Sequence, residues 1–394
     1  MLPLDGIRIL DMSRLLPGPF ASMILADFGA EVIKVEEPGL ADYSRWAPPF
    51  YGSLGVYFSN VNRNKKSVTL NLKSDEGRTI FRRLAADADV VLETFRPGVV
   101  ERLGVSYEDL RKDNPRLVYC SLSGYGQDGP YRDYAGHDLN IQGLGGILSF
   151  INRGEGHPIV PGLPIADYAG SLWTVIAISM ALQAREKTGV GQYIDVSILD
   201  CIISLLCRDS MFHFGGTEPT DSSFYGEAPR FNVYETADGK YVTLSALEAK
   251  FWVNLCRKLG REDLINANER NEDRLTSHKA NREEIFAFLR GVFKTKTCDE
   301  WVRELAAADV PCYPVLSIAD VFRDPHVLHR KMLQEVEHPT EGPIKQIGIP
   351  VKLNGTPGEI RSAPPGLGAH NHDVYGAMGI TPERQEALRA AGII

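Results

Sequence analysis

The chain has 394 residues, of which 43% are hydrophobic and 24% charged, proportions typical of a soluble globular protein. Its 51 acidic and 43 basic residues give a net charge of −8, which argues against nucleic acid or an anionic membrane as the main partner. We expect no membrane span and no secretory signal, because no apolar run is long enough and the N-terminus opens directly into a strand pattern. The six scattered cysteines form no CxxC pair and predict reduced thiols in a cytoplasmic protein.

In the first half of the chain, apolar strand patterns alternate with helical patterns. Strands are predicted at residues 7–12, 31–36, 67–72, 90–94 and 117–123. Strands separated by helices require right-handed crossovers, so the expected fold class is α/β with a Rossmann-like, doubly wound parallel sheet. Ligands of such sheets bind beyond the carboxyl ends of the strands. The first places to look for a site are therefore the turns after Met12, Glu36, Leu72 and Thr94.

The second half of the chain has a different pattern. A long, mostly apolar helix is predicted from Ala166 to about Arg185, and a turn, a strand and another helix follow it. Residues 215–229 are rich in turn-forming residues, whereas 231–246 are typical of a hairpin that turns at Asp238–Gly239.

Two motifs suggest cofactors at first sight. Residues 124–129 match GxGxxG after a strand, but Pro130 and a polar stretch follow in place of the helix that a dinucleotide site needs. A glycine-rich loop that allows close approach of a ligand or of backbone is the better interpretation. His370 and His372 lack a companion ligand at metal spacing, so no metal site is predicted.

Three places hold ionisable residues with both a structural and a functional interpretation. His137 and Asp138 lie between apolar neighbours on a loop, where structural and catalytic roles fit equally well. Asp167 starts the long apolar helix and is either its N-terminal cap or a functional carboxylate. Glu248 follows the hairpin and is either a surface acid or a functional one.

Several segments occur in a recognisable order along nearly the whole chain: LDGIRILDMSRLLPGPFASMILADFGAEVIKVEEPG, NRNKKSVTLNLKS, ETFRPGVVERLG, NPRLVYCSLSGYGQDGP and TGVGQYIDVSILD. Together they resemble the class III CoA-transferase superfamily, typified by formyl-CoA transferase. The resemblance implies an interlocked homodimer in which each chain threads through its partner. It also implies a large CoA-binding domain from residues 1–200 completed by 325–394, a linker at 201–228 and a smaller α+β domain at 229–324.

The resemblance also implies how the chain meets its substrate. An acyl-CoA thioester is the substrate, and no resident cofactor is expected. By motif position, the predicted CoA contacts are Leu70, Lys73, Thr94, Phe95, Arg102, Gly136, Asp138 and Asn140. One departure is that Glu37 stands where the family usually has an arginine, and an acid there is expected to repel the CoA phosphates.

The superfamily divides by what surrounds a shared aspartate, which falls on Asp167. In transferases this aspartate is the nucleophile, whereas in α-methylacyl-CoA racemases it exchanges a proton with the carbon beside the thioester. The racemase branch has a GHDIN motif and a glutamate, and this chain has Gly136-His137-Asp138-Leu139-Asn140 and Glu248. The racemase motif usually continues with Tyr where this chain has Ile141, and racemases have Gly in a later loop where this chain has Glu227.

The sequence is therefore interpreted first as a racemase of 2-methylacyl-CoA thioesters in lipid metabolism, with His137, Asp167 and Glu248 as catalytic residues. The alternative is a CoA transferase in which Asp167 forms an anhydride and then a CoA thioester. A third interpretation is a CoA-binding protein without catalysis.

Overall fold

Strands form where the sequence has short runs rich in valine, isoleucine and leucine. The structure, a computed structural model, describes residues 1–149, 151, 157–216, 228–265 and 281–394. In chain order its strands are β1 (Arg8–Asp11), β2 (Glu31–Glu36), β3 (Phe50–Tyr51), β4 (Leu54–Gly55), β5 (Lys65–Thr69), β6 (Val90–Glu93), β7 (Val118–Ser123), β8 (Tyr193–Ser197), β9 (Phe231–Glu235), β10 (Tyr241–Ser245), β11 (Cys312–Pro314), β12 (Leu333–His338) and β13 (Gly342–Ile347).

The helices alternate with the strands in the first half of the chain and gather in groups later. In chain order they are α1 (Pro17–Asp27), α2 (Val56–Val61), α3 (Asp75–Ala86), α4 (Val99–Arg102), α5 (Tyr107–Leu110), α6 (Asp138–Leu144), α7 (Ile165–Thr188), α8 (Ile198–Ser204), α9 (Met211–Phe214), α10 (Ala249–Lys258), α11 (Arg282–Phe293), α12 (Cys298–Ala307), α13 (Ile318–Val321), α14 (Pro325–His329), α15 (Asn371–Ala377) and α16 (Pro382–Ala390).

The described residues divide into a large unit, Met1–Cys207 with Pro325–Ile394, and a small unit, Arg208–Asp324. The segment predicted as a linker, 201–228, holds the end of α8 and all of α9 in its described part. The domain boundaries given above stay a prediction.

The large unit is built on a six-stranded sheet in the order β5-β2-β1-β6-β7-β8. Every neighbouring pair of these strands is parallel, which confirms the predicted α/β fold class with its parallel sheet. The third predicted strand, 67–72, lies two to three residues earlier, at Lys65–Thr69. The sheet is covered on both faces, because one apolar cluster includes Phe81 and Tyr375 and another includes Leu25 and Ile178.

Residues near the C-terminus complete the edge of this sheet. His370 Nδ1 accepts a hydrogen bond from the backbone N–H of Ser67 at 3.1 Å. The Asn371 side chain accepts from Thr69 N at 2.9 Å and donates to Thr69 Oγ1 at 2.8 Å. This segment thus starts α15 and binds β5.

Helix α7 is the longest described helix, and Gly189 ends it in a left-handed conformation with φ of 75°. By length and composition alone it could cross a membrane, contrary to the expectation that no run is long enough. A core helix of a soluble protein passes the same test, so the observation is weak evidence. Part of α7 is buried against the sheet, and its other face exposes the apolar side chains of Leu172, Trp173, Ile176 and Met180.

The small unit contains an antiparallel sheet in the order β11-β10-β9. Residues 231–246 form the predicted hairpin, with Asp238–Gly239 at its turn. One face of the sheet packs on α10, α11 and α12 around a core in which Phe293 stacks on Tyr234 at 4.9 Å between ring centroids. At the end of the first segment of the large unit, Cys201 is buried, whereas Cys207 is exposed.

Candidate functional site

A cavity of about 630 Å³ opens at the carboxyl edge of the large sheet. It lies beyond the ends of β1, β6 and β7, where a doubly wound sheet is expected to bind ligands. We call it the first cavity. Six residues predicted for the site line it: Thr94, Phe95, Gly136, His137, Asp138 and Asp167.

Asp167 lies in the first turn of α7. Burial, followed by the charge of Asp138, raises its pKa from 3.8 to about 7. Its backbone N–H and that of Ala166 both donate to Asp138 Oδ1, at 3.2 and 2.8 Å. The residue is therefore not the cap of its helix, since the cap is supplied by Asp138 from another element.

His137 is the residue before α6, and its exposed side chain lines the first cavity. Its backbone N–H donates to Asn140 Oδ1 at 3.1 Å, so Asn140 serves the start of this helix. Gly136 packs so closely on Tyr125 that a Cβ atom would lie 2.3 Å from the Tyr125 hydroxyl oxygen. A larger residue at this position would therefore require the Tyr125 ring to shift.

A second cavity of about 380 Å³ lies beyond the ends of β2 and β5. It shares Arg14, Tyr43, Phe95 and Val99 with the first cavity, and two further residues predicted to contact CoA, Leu70 and Lys73, line it. The guanidinium of Arg14 is 5.8 Å from the Tyr43 ring and 5.9 Å from the Phe95 ring, between the two cavities. The two cavities thus adjoin along the carboxyl edge of the sheet.

Glu37 lines the second cavity, and its charge is balanced there. Its carboxylate pairs with Lys73 Nζ at 2.6 Å and with the Arg14 guanidinium at 3.7 Å. The expectation that Glu37 repels phosphates considered its charge alone, and the structure places two cations against it.

Sequence reasoning missed three arginines of the site. Arg14, Arg96 and Arg132 all line the first cavity. A Cβ atom placed on Gly98 would lie 3.3 Å from Arg102 Nη1 and 3.8 Å from Arg132 Nη2, so two guanidinium groups flank this glycine. Arg14 could have been found, because it directly follows the turn after β1 that the fold rule selects.

A buried ionic network lies under the loop that carries Arg14. Lys65 Nζ binds Asp11 at 3.1 Å, and Lys34 Nζ binds Asp42 at 3.0 Å, with all four side chains inaccessible to solvent or nearly so. Although burial alone raises the pKa of Asp11, the two lysines lower it to about 2. Asp42 also accepts from the backbone N–H of Leu15, which adopts φ of 63°. The network therefore fixes the loop on which Arg14 is presented.

Three predicted site residues are not brought to these cavities. Arg102 and Asn140 lie next to the site but line neither cavity. Glu248 lies in the small unit, directly before α10, and its catalytic role stays a prediction. The glutamate at position 227 lies outside the described residues.

The parallel sheet and its adjoining carboxyl-edge cavities define an α/β protein of the kind that binds a long ligand across strand ends. Residues 4–371 match CoA-transferase family III, and the chain belongs to this family. A solved structure of a CaiB/BaiF family protein from Brucella suis is similar, with a TM-score of 0.84, 33% identity and coverage of 96% of this chain and 99% of that one.

Two curated relatives are similar over most of their length. One is a succinyl-CoA:glutarate CoA-transferase from Homo sapiens, 35% identical over 93% of this chain and 84% of the relative. The other is a succinate–glutarate CoA-transferase from Agrobacterium fabrum, 34% identical over 95% of this chain and 96% of the relative. The family resemblance is thereby confirmed. The names favour the transferase alternative over the racemase interpretation, and they give no support to a place in the racemase branch.

Proposed function

We propose that this chain is a CoA transferase, which moves CoA from an acyl-CoA thioester to a free carboxylic acid with Asp167 as the nucleophile. The observation that carries the proposal is the Asp167 carboxylate, which faces the first cavity from the start of α7. Family membership and the transferase names of the relatives support it.

The proposed reaction proceeds in four acyl-transfer steps. An oxygen of the Asp167 carboxylate attacks the thioester carbonyl, the C–S bond breaks, and CoA thiolate and a mixed anhydride are formed. The thiolate then attacks the Asp167 carbonyl of the anhydride and releases the donor acid, which leaves CoA bound to Asp167 as a thioester. The acceptor carboxylate attacks this thioester to give a second anhydride and CoA thiolate. The thiolate finally attacks the acceptor's carbonyl and restores the Asp167 carboxylate.

The ionisation of Asp167 sets the pH range in which this reaction can proceed. The nucleophile is the carboxylate, and burial together with Asp138 raises the pKa of Asp167 to about 7. The rate at low substrate concentration is therefore expected to rise with pH through about 7. A carboxylate that is poorly solvated is also a stronger nucleophile, because less water must be removed when it attacks.

CoA is proposed to lie along the two cavities. Phe95 faces both of them and offers an aromatic surface to the adenine, while Lys73 at the second cavity offers a cation to the phosphates. Arg102, which lies beside Gly98, is proposed as a further phosphate partner. The thiol end then reaches Asp167 in the first cavity.

The acyl groups are proposed to be those of dicarboxylic acids. Three arginines, Arg14, Arg96 and Arg132, line the cavity that holds Asp167. A guanidinium group can bind the distal carboxylate of a short diacid in bidentate fashion. The names of the two relatives, which include succinate and glutarate, agree with this proposal.

We further propose a homodimer in the cytoplasm. The apolar face of α7 exposes Trp173 at 41% and Met180 at 65% of their surface, an arrangement typical of an interface between subunits. The interlocked form of this dimer is the form implied by the family resemblance.

The test is incubation with succinyl-CoA and glutarate, followed by mass spectrometry of the CoA thioesters. Glutaryl-CoA is expected with the wild type and not with Asp167→Asn, which keeps the shape of the side chain but lacks the nucleophilic oxygen anion. A set of other acids as acceptors defines the preference. If no acid accepts CoA, the proposal is refuted.

Racemisation stays as a second candidate because His137 and Asp167 line the same cavity. It predicts uptake of deuterium at the α-carbon of a 2-methylacyl-CoA in D2O without any acid present. The transferase proposal predicts no uptake, and it predicts that His137→Ala retains CoA transfer.

A further inference from the structure

We propose that Asp138 is a positioning residue for Asp167, not a contact of CoA: it fixes the start of α7 and holds a second negative charge beside the nucleophile. This inference rests on the proposed transferase reaction, and it assigns to Asp138 a role different from the one expected from motif position.

Both carboxylate oxygens of Asp138 are already used within the protein. Oδ1 accepts from the backbone N–H groups of Ala166 at 2.8 Å and Asp167 at 3.2 Å. Oδ2 accepts from Gln142 Nε2 at 2.5 Å, and Gln142 is completely buried and also donates to Leu163 O at 3.3 Å. A side chain held from three directions has little freedom to turn towards a ligand.

The first consequence concerns hydrogen bonding at the start of α7. The N–H groups of Ala166 and Asp167, which could have stabilised an oxyanion, are occupied by Asp138. In the part of the chain that the structure describes, no hydrogen bond to the Asp167 carboxylate is found that would stabilise its charge. Asp138 thus places the nucleophile and at the same time leaves it poorly stabilised.

The second consequence concerns the covalent intermediate. In the free enzyme the charge of Asp138, whose carboxylate binds the backbone N–H of Asp167, disfavours a second negative charge on Asp167. In the thioester between Asp167 and CoA, Asp167 is neutral, so this effect is absent. The charge of Asp138 therefore destabilises the free Asp167 carboxylate relative to the thioester between Asp167 and CoA. The equilibrium is thereby shifted towards the thioester.

Other groups near Asp167 do not replace this charge. Tyr57 on α2 and Tyr168 on α7 both face it, and burial together with Asp167 raises the pKa of each, so both remain neutral phenols. His137 lines the same cavity, as do the three arginines described above. Besides burial, it is the charge of Asp138 that raises the pKa of Asp167.

The decisive variant is Asp138→Asn, which keeps an acceptor oxygen for the two N–H groups and removes the charge. Its amide can donate to Gln142 Oε1, which is buried without a hydrogen-bond partner, after rotation of the Gln142 amide, at the cost of the bond from Gln142 Nε2 to Leu163 O. We expect the midpoint of the pH profile of kcat/KM to move to lower pH by about one pH unit, with KM for succinyl-CoA little changed.

Two control variants separate the effect of the Asp138 charge from the effect of its hydrogen-bond acceptor. Asp128→Asn removes an exposed carboxylate from the loop that precedes α6 and should leave the pH midpoint unchanged. Asp138→Ala removes the acceptor as well and should lower kcat more than Asp138→Asn does. An unchanged pH midpoint in Asp138→Asn overturns the inference. So does a large rise of KM for succinyl-CoA in that variant, since it would mark Asp138 as a CoA contact.

A measurement without turnover distinguishes failure of the inference from failure of the proposed function. A carbodiimide with an amine nucleophile labels protonated carboxyl groups, and peptide mass spectrometry reports the label on Asp167 as a function of pH. The labelling midpoint should be lower in Asp138→Asn than in the wild type. If the wild type transfers no CoA but the midpoint moves, the proposed function fails while the effect of Asp138 on Asp167 stands. An equal midpoint in the two proteins refutes the inference even if transfer is observed.

Discussion

Replacement of Asp167 by asparagine should make the protein more stable at neutral and alkaline pH while it abolishes CoA transfer. The raised pKa, from 3.8 to about 7, means that the folded state disfavours the charged form of this carboxyl. For an acid whose pKa is raised on folding, the wild type loses stability as the pH rises from about 4 to about 7. The full pKa shift corresponds to about 4 kcal/mol in the free energy of unfolding. The wild type loses this stability at high pH, whereas Asp167→Asn does not.

The quantity to measure is the change of this advantage with pH, because the asparagine amide has a burial cost of its own that does not depend on pH. Between pH 5 and pH 8 the advantage in free energy of unfolding should grow by about 2.5 kcal/mol. With a slope of about 3 kcal/mol per molar urea, the midpoint difference between variant and wild type should widen by roughly 1 M.

Urea unfolding followed by circular dichroism at several pH values gives these midpoints, and Asp128→Asn controls for the loss of one negative charge at the surface of the same unit. An advantage of Asp167→Asn that is equal at pH 5 and pH 8 would refute the argument. The carboxyl would then ionise in the folded protein as it does in the unfolded chain.

Three further predictions concern other parts of the molecule. In the wild type the buried Arg63 guanidinium is 2.7 Å from the Asp27 carboxylate. Asp27→Ala leaves this buried charge unpaired and should lower the free energy of unfolding by about 3–5 kcal/mol in the same urea assay. Phe293→Ala opens a cavity in the core of the small unit and should cost about 3–5 kcal/mol, with faster hydrogen exchange confined to residues 208–324. Lys73→Ala removes a cation that balances Glu37 and should raise KM for succinyl-CoA about fivefold with kcat unchanged; a fall of kcat alone would contradict its placement at CoA.

The strands of the large sheet could be predicted because their burial on two faces requires continuous apolar runs, as in Val90–Glu93 and Val118–Ser123. The start of β5 could not, because it contains Lys65. A lysine is buried only when partners from distant positions balance its charge, and Asp11 is not identifiable as that partner from spacing. The pair β3 and β4 was missed because each strand has two residues and carries no periodic signal.

The residues of the site could likewise be predicted only in part. His137, Asp138 and Asp167 were singled out as ionisable residues in apolar surroundings, and the carboxyl edge of the sheet brings them to one cavity. The role of Asp138 could not be predicted, because it depends on hydrogen bonds to backbone groups 28 and 29 positions away. The sequence did not decide between racemase and transferase, because one histidine and one glutamate at motif positions do not determine which chemistry a shared aspartate performs.

The bonds between β5 and the C-terminal segment have a consequence for how the protein is made. Besides His370 and Asn371, the carbonyl oxygen of Ile393 accepts from the backbone N–H of Asn71 at 2.8 Å, next to Leu70 and Lys73 in the second cavity. These contacts join positions more than 300 residues apart in the sequence, so they cannot form until the segment around His370 and Asn371 has been synthesised and has left the ribosome. The part of the second cavity next to β5 is thus completed only after this distant segment has been made, so folding of this region depends on late synthesis and not on local contacts.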